Sequence, residues 1–177
     1  MKRLPANTQI KLLIFLSLIA GGFYFIQTRY NIFEISPNQA EVEQEKTTYK
    51  IWVKNSKGEQ FAVDTELAVT QSEKNKGLSS RQSLGTNSGM LFVYENDSLG
   101  GFWMKDTVVP LDMIFTNEKG EILYIEQNAQ PCDRAPCKVY NPSIPYRYVL
   151  EVNGFWTRDR GVKVGDKIEI PDFTSDS

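Results

Sequence analysis

The chain has 177 residues, 41% of them hydrophobic and 24% charged, an ordinary globular composition that fits one domain and neither a disordered nor a fibrous protein. It contains no histidine, which excludes a Ser-His-Asp triad, a Cys-His pair and any histidine-rich metal site within it. Its formal net charge is −2, with 16 basic against 22 acidic residues from Asn31 onward and no run or stripe of Lys and Arg, so nucleic acid is not an expected partner.

Leu12 to Ile26 reads LLIFLSLIAGGFYFI, an uncharged run that spans a bilayer if its helix extends to Ile10 and Thr28 while Lys11 snorkels to the headgroups. Lys2, Arg3 and Lys11 precede it, and Glu34, Glu41, Glu43 and Glu45 follow. This polarity predicts a single-pass protein of the inner membrane with its C-terminal domain outside the cytoplasm. Ala20-Gly21-Gly22 offers a second reading, a cleaved signal peptide, although Phe23 to Ile26 carries the hydrophobic run past that site with aromatics suited to a membrane interface. Either way the rest is exported. The expected organisation is a cytoplasmic tip and anchor over 1–30, a polar linker over 31–48 and an exported domain over 49–173.

Strand signals dominate that domain. Tyr49–Lys54 and Gln60–Val69 are extended patterns around the turn residues Asn55-Ser56-Lys57-Gly58, which predicts a hairpin. Thr70-Gln71-Ser72-Glu73 has the spacing of a capping box and opens a short polar helix that Gly77 ends. Met90–Tyr94 reads as a buried strand, and Leu111–Thr116 and Glu121–Gln127 form a second hairpin through Asn117-Glu118-Lys119-Gly120. A proline-rich loop runs from Gln130 to Pro145, Arg147–Val152 is another strand, Phe155–Arg160 is one helical turn or two, and Val162–Ile170 closes the domain. About seven short strands with little helix predict a mainly β fold, a compact sandwich or small barrel with one or two short helices.

Several pieces then stand in a specific order: Gly77-Leu78 with Arg81 and Leu84, Gly89-Met90-Leu91-Phe92, Phe102-Trp103-Met104-Lys105, Pro110-Leu111-Asp112, Arg147-Tyr148-Val149-Leu150-Glu151, and Gly161 to Asp166. Together they resemble the domain of unknown function family 192, also called uncharacterised protein family 127, over Phe61 to Ile170. The resemblance implies a β-sandwich of jelly-roll type, often behind a signal or anchor segment, and no activity. One position departs from the family pattern: Asp106 stands where Trp-Met-Lys-Asn-Thr has its asparagine, and an ionised carboxylate cannot donate a hydrogen bond.

Phe102 to Asp112 is the best candidate site. Trp103 offers an aromatic platform beside Lys105, Asp106 and Asp112, which is how rings with polar substituents are held. In the structural alternative, Trp103 and Met104 fill opposite faces of a strand while Lys105 and Asp112 form an ion pair. Alternation places Phe102 and Met104 on one face and Trp103 and Lys105 on the other. Arg81 is suited to an anionic group or to a carboxylate partner, for which Asp112 is the first choice. Glu126 is expected near the same mouth if the second hairpin forms. Cys132 and Cys137, in one loop of an exported domain, read as a disulfide; a redox dithiol is the alternative, with the wrong spacing and prolines against a helix.

The function expected is a non-catalytic module that binds a small polar ligand or an envelope component and needs no cofactor or metal. The rivals are a carbohydrate-active hydrolase or lyase with Asp112 and Glu126 as paired carboxylates, and an envelope assembly factor.

Overall fold

The computed structural model describes residues 47–171. Among them, in chain order, are β1 (Tyr49–Lys54), β2 (Gln60–Ala68), α1 (Gln71–Lys76), β3 (Ser88–Ser98), β4 (Phe102–Trp103), β5 (Leu111–Thr116), β6 (Ile122–Ala129), β7 (Val139–Tyr140), β8 (Tyr146–Asn153), α2 (Trp156–Asp159) and β9 (Lys167–Glu169). The expected membrane anchor and most of the polar linker lie outside the described residues. Within them no helix is long and apolar enough to cross a membrane.

Both expected hairpins form, and their turns are built alike. In the first, Asn55 Oδ1 accepts the N–H groups of Lys57 and Glu59, each at 3.0 Å; in the second, Asn117 Oδ1 accepts those of Lys119 and Glu121 at 2.9 and 3.0 Å. An asparagine side chain replaces a backbone acceptor there, and a glycine three residues later, Gly58 or Gly120, takes the positive φ that completes the turn. The capping box also forms. Thr70 Oγ1 accepts the Glu73 N–H at 3.2 Å, and Glu73 Oε2 accepts the Thr70 N–H at 2.8 Å. Gly77 ends the helix at φ +49° with its N–H on the Glu73 carbonyl.

Seven strands make one sheet in the order β6-β5-β8-β3-β2-β1-β9, and β4 and β7 make a separate pair. All neighbours in the large sheet are antiparallel except β2 and β3, which run parallel because α1 and the loop after it carry the chain back across. The two stacked sheets of a sandwich are therefore not formed. Instead the sheet curls into a half-barrel whose first and last strands meet at one end: the Ile168 N–H donates to the Gly120 carbonyl and the Ile122 N–H to the Asp166 carbonyl, both at 2.8 Å. A Cβ at Gly120 would stand 2.0 Å from the Ile168 carbonyl oxygen, so this junction requires glycine.

The curled sheet separates two apolar clusters. The inner one includes Ile51, Val63, Leu91, Ile114, Leu150 and Ile168, drawn from both ends of the strand order, and α2 closes it with Trp156. The outer one lies on the opposite face of β3, β5 and β8, with Met90, Phe92, Met113, Phe115 and Val149, and is covered by Phe102, Met104 and Tyr140 of the β4–β7 region and by Leu78 after α1. Central strands buried on both faces read as continuous apolar runs, which is why Leu111–Thr116 shows no alternation. Each fully buried Leu, Ile or Phe on these faces contributes about 1.5–3 kcal/mol.

Candidate functional site

The two layers over the outer face leave a cleft between them. One wall is α1 and the turn after it, the other is Trp103 and Val139 of the β4–β7 pair, and the floor comes from β3 and β8; its volume is about 380 Å³. The walls are tied together at one end. The Ser80 N–H donates to the Asp106 carbonyl at 2.7 Å and the Ser79 hydroxyl to the Lys105 carbonyl at 3.3 Å. At Gly77 an added Cβ would lie 3.3 Å from the Phe92 ring, so the absence of a side chain lets the helix end settle onto the floor.

Aromatic packing sets the second wall. Phe102 packs edge-on against Phe92 at 5.0 Å and Phe115 at 5.6 Å, deep in the outer cluster. Strand alternation then turns Trp103 outward, where it is 57% exposed. The expected division holds: Phe102 and Met104 are buried, while Trp103 and Lys105 face out.

Glu151 lies in the floor. It stands between Met90 of β3 and Met113 of β5, flanked by a strand on each side, and only 4% of it is exposed. No hydrogen bond or ion pair reaches its carboxylate among the described residues. Burial pushes the Glu151 carboxyl up to about 8, so at neutral pH it is chiefly the uncharged acid. Burial, with Tyr146 and Glu151 nearby, also raises the Tyr94 phenol, which stays protonated. Lys74 of α1 sets its ammonium 4.4 Å above the Tyr94 ring. The cleft thus combines aromatic surface, a ring-bound cation and a buried acid free to donate and accept.

The other residues expected at the site lie elsewhere. Asp112 is fully buried: its Oδ1 accepts the N–H groups of Asn128 and Phe155, both at 2.8 Å, and its Oδ2 accepts the N–H and hydroxyl of Thr157 at 2.9 and 2.6 Å. These four donors replace the expected partners Lys105 and Arg81, and they make Asp112 the clamp between β5, the end of β6 and α2. Arg81 instead forms a two-pronged pair with Glu66 of β2. Glu126 stands opposite Met113, so alternation sends it to the face opposite Asp112, where it accepts from Tyr124 and Lys138 at 2.8 and 3.2 Å. The paired carboxylates of the hydrolase reading are not brought together.

Lys105 is exposed beyond the cleft wall, and its carbonyl is the part that binds neighbours. Asp106 adopts φ +57°, a left-handed conformation that Asn and Asp tolerate better than other side chains. The departure at this position therefore keeps the backbone property that matters. Cys132 and Cys137 are joined by a disulfide with their Cα atoms 5.8 Å apart. Sequence reasoning assigned Glu151 to a strand and to the family pattern without a role at the site, and Lys74 and Tyr94 to elements only. A carboxylate inside a strand of apolar neighbours, Tyr148-Val149-Leu150-Glu151-Val152, was the available signal for the first.

The family model of DUF192, described as an uncharacterized ACR, matches residues 52–170. The chain belongs to the DUF192 family. Solved structures similar to this DUF192 domain include a protein of Sinorhizobium meliloti 1021, provisionally named a transcription regulator, at 32% identity and TM-score 0.66, over 70% of this chain and 94% of that one. Another, a protein of unknown function from Novosphingobium aromaticivorans DSM 12444, is 35% identical with TM-score 0.65, over 70% of this chain and 85% of that one. The comparison with curated proteins found no match.

Proposed function

We propose that this DUF192 domain is a non-catalytic binding module, held at the outer face of the inner membrane by Leu12–Ile26, whose cleft takes a small polar ligand. The observation that carries this reading is Glu151: a residue only 4% exposed in the floor of an aromatic-walled cleft, whose carboxyl has no partner among the described residues and opens only toward the cleft. Among the described residues the fully buried side-chain atoms without a hydrogen bond are Thr116 Oγ1 and Trp156 Nε1, so the Glu151 carboxyl still reaches the water of the cleft, and a ligand that displaces this water has to replace its hydrogen bonds. Trp103 supports the same reading, because a large exposed ring at the edge of a cleft covers the apolar face of a bound molecule. The hydrolase or lyase reading loses its two acids, since Asp112 is saturated by structural donors and Glu126 lies across the sheet.

The test is a thermal-shift screen of the full-length protein against sugars, organic acids, amines and nucleotides. A specific ligand raises the melting temperature by mass action. The shift is expected to vanish in Trp103→Ala while the unliganded melting temperature stays near that of the parent. A screen with no stabilising compound, or a shift untouched by Trp103→Ala, would overturn the proposal.

A further inference from the structure

Resting on the binding reading above, we infer that the ligand is a small anionic sugar, its ring on Trp103, a hydroxyl at Glu151 and its anionic substituent at Lys74.

The charges that face the cleft decide the sign of the ligand. Lys74 and Lys76 come from α1, Glu151 comes from β8, and β3, β4 and β7 contribute no charged side chain to the lining. Neither lysine has a carboxylate partner among the described residues. With Glu151 protonated, the cleft is net positive. A cationic ligand would meet two ammonium groups on entry, and the ring best placed to receive it, Tyr94, is already covered by Lys74. An anionic group meets the opposite situation, since Lys74 is only half-buried and can bond it without leaving the Tyr94 face.

The uncharged groups decide the rest. A simple fatty or aromatic acid would satisfy Lys74 and Trp103 yet displace the water at the Glu151 carboxyl without replacing its hydrogen bonds. A ring bearing hydroxyl groups replaces them, because a carboxylic acid donates one hydrogen bond and accepts another. Gln71, Asn75, Ser79 and Thr107 supply further polar groups along the walls. The volume of about 380 Å³ lies at the small end of ligand pockets, about 300–1,000 Å³, which suits a single sugar ring with its substituent.

The experiment is calorimetric titration of the full-length protein with glucuronate, glucose and glucosamine, at low salt and about pH 6.5, where Glu151 is protonated. Glucuronate is expected to bind at least about tenfold more tightly than glucose, and Lys74→Ala to remove that preference. Glu151→Gln keeps a neutral donor and acceptor and is expected to bind within about threefold of the parent, whereas Glu151→Leu loses at least about tenfold. A preference for glucosamine, or a loss in Glu151→Gln as large as in Glu151→Leu, would overturn the anionic-sugar assignment while leaving the binding module standing. The assignment falls in the same way if the broad screen gives a ligand that depends on Trp103 while none of these three sugars binds. Lys74→Ala, on the surface of α1, and the near-isosteric Glu151→Gln keep the test valid if Glu151→Leu does not fold.

Discussion

Asp112 holds Thr157 twice on one carboxylate oxygen, taking its backbone N–H at 2.9 Å and its hydroxyl at 2.6 Å, across 45 positions of sequence. The other oxygen binds the N–H groups of Asn128 and Phe155. Three segments meet on this one side chain. Asp112→Ala strands three backbone donors and is expected to destabilise the domain by at least about 3 kcal/mol in urea unfolding. A change within about 0.5 kcal/mol, typical of a solvent-facing group, would contradict the clamp.

Glu151 should give the protein a pH-dependent stability. Its carboxyl is raised from 4.5 to about 8 by burial, so across that interval the folded state keeps a proton that the unfolded state releases. The stability is fully present below the unfolded value, falls as pH rises through this window, and levels off above about 8. The slope reaches at most about 1.4 kcal/mol per pH unit. Glu151→Gln, neutral throughout, should lack this contribution. Urea midpoints of both proteins at about pH 5 and pH 8.5 give the comparison, and the variant should gain on the parent at the higher pH. Parallel curves would show that the parent carboxyl titrates normally.

The Cys132–Cys137 disulfide closes a short loop, for which chain entropy predicts about 2 kcal/mol. Cys132→Ser should lower the urea midpoint by that modest amount and leave the thermal shift expected from the proposed ligand unchanged. In the oxidised parent, neither cysteine should react with a thiol reagent before reduction.

The anchor is tested by fractionation. Made in a bacterium, the full-length protein should pellet with membranes and resist carbonate extraction, and its domain should be open to protease added outside the inner membrane. A soluble mature form beginning near Phe23 would instead establish the cleaved signal peptide.

Features that depend on neighbours along the chain were legible in the residues alone. The two Asn-x-x-Gly turns, the Thr70–Glu73 capping box, the placement of Phe102 and Trp103 on opposite faces and the closely spaced cysteines depend on geometry spanning a few residues, so spacing suffices to read them. Packing against Phe92 and Phe115 decided that Phe102 is the inward one. Features that depend on which strands lie together emerged only with the fold. Pairing β8 between β3 and β5 buries Glu151, the register of β5 with β6 sends Asp112 and Glu126 to opposite faces, and the parallel placement of β2 beside β3 gives Arg81 to Glu66 instead of Asp112. A carboxylate has the same chemistry in each case. Its role follows from the donors and the water that distant segments bring to it or exclude; the apolar neighbours of Glu151 signal burial, but no local pattern of residues names the partners.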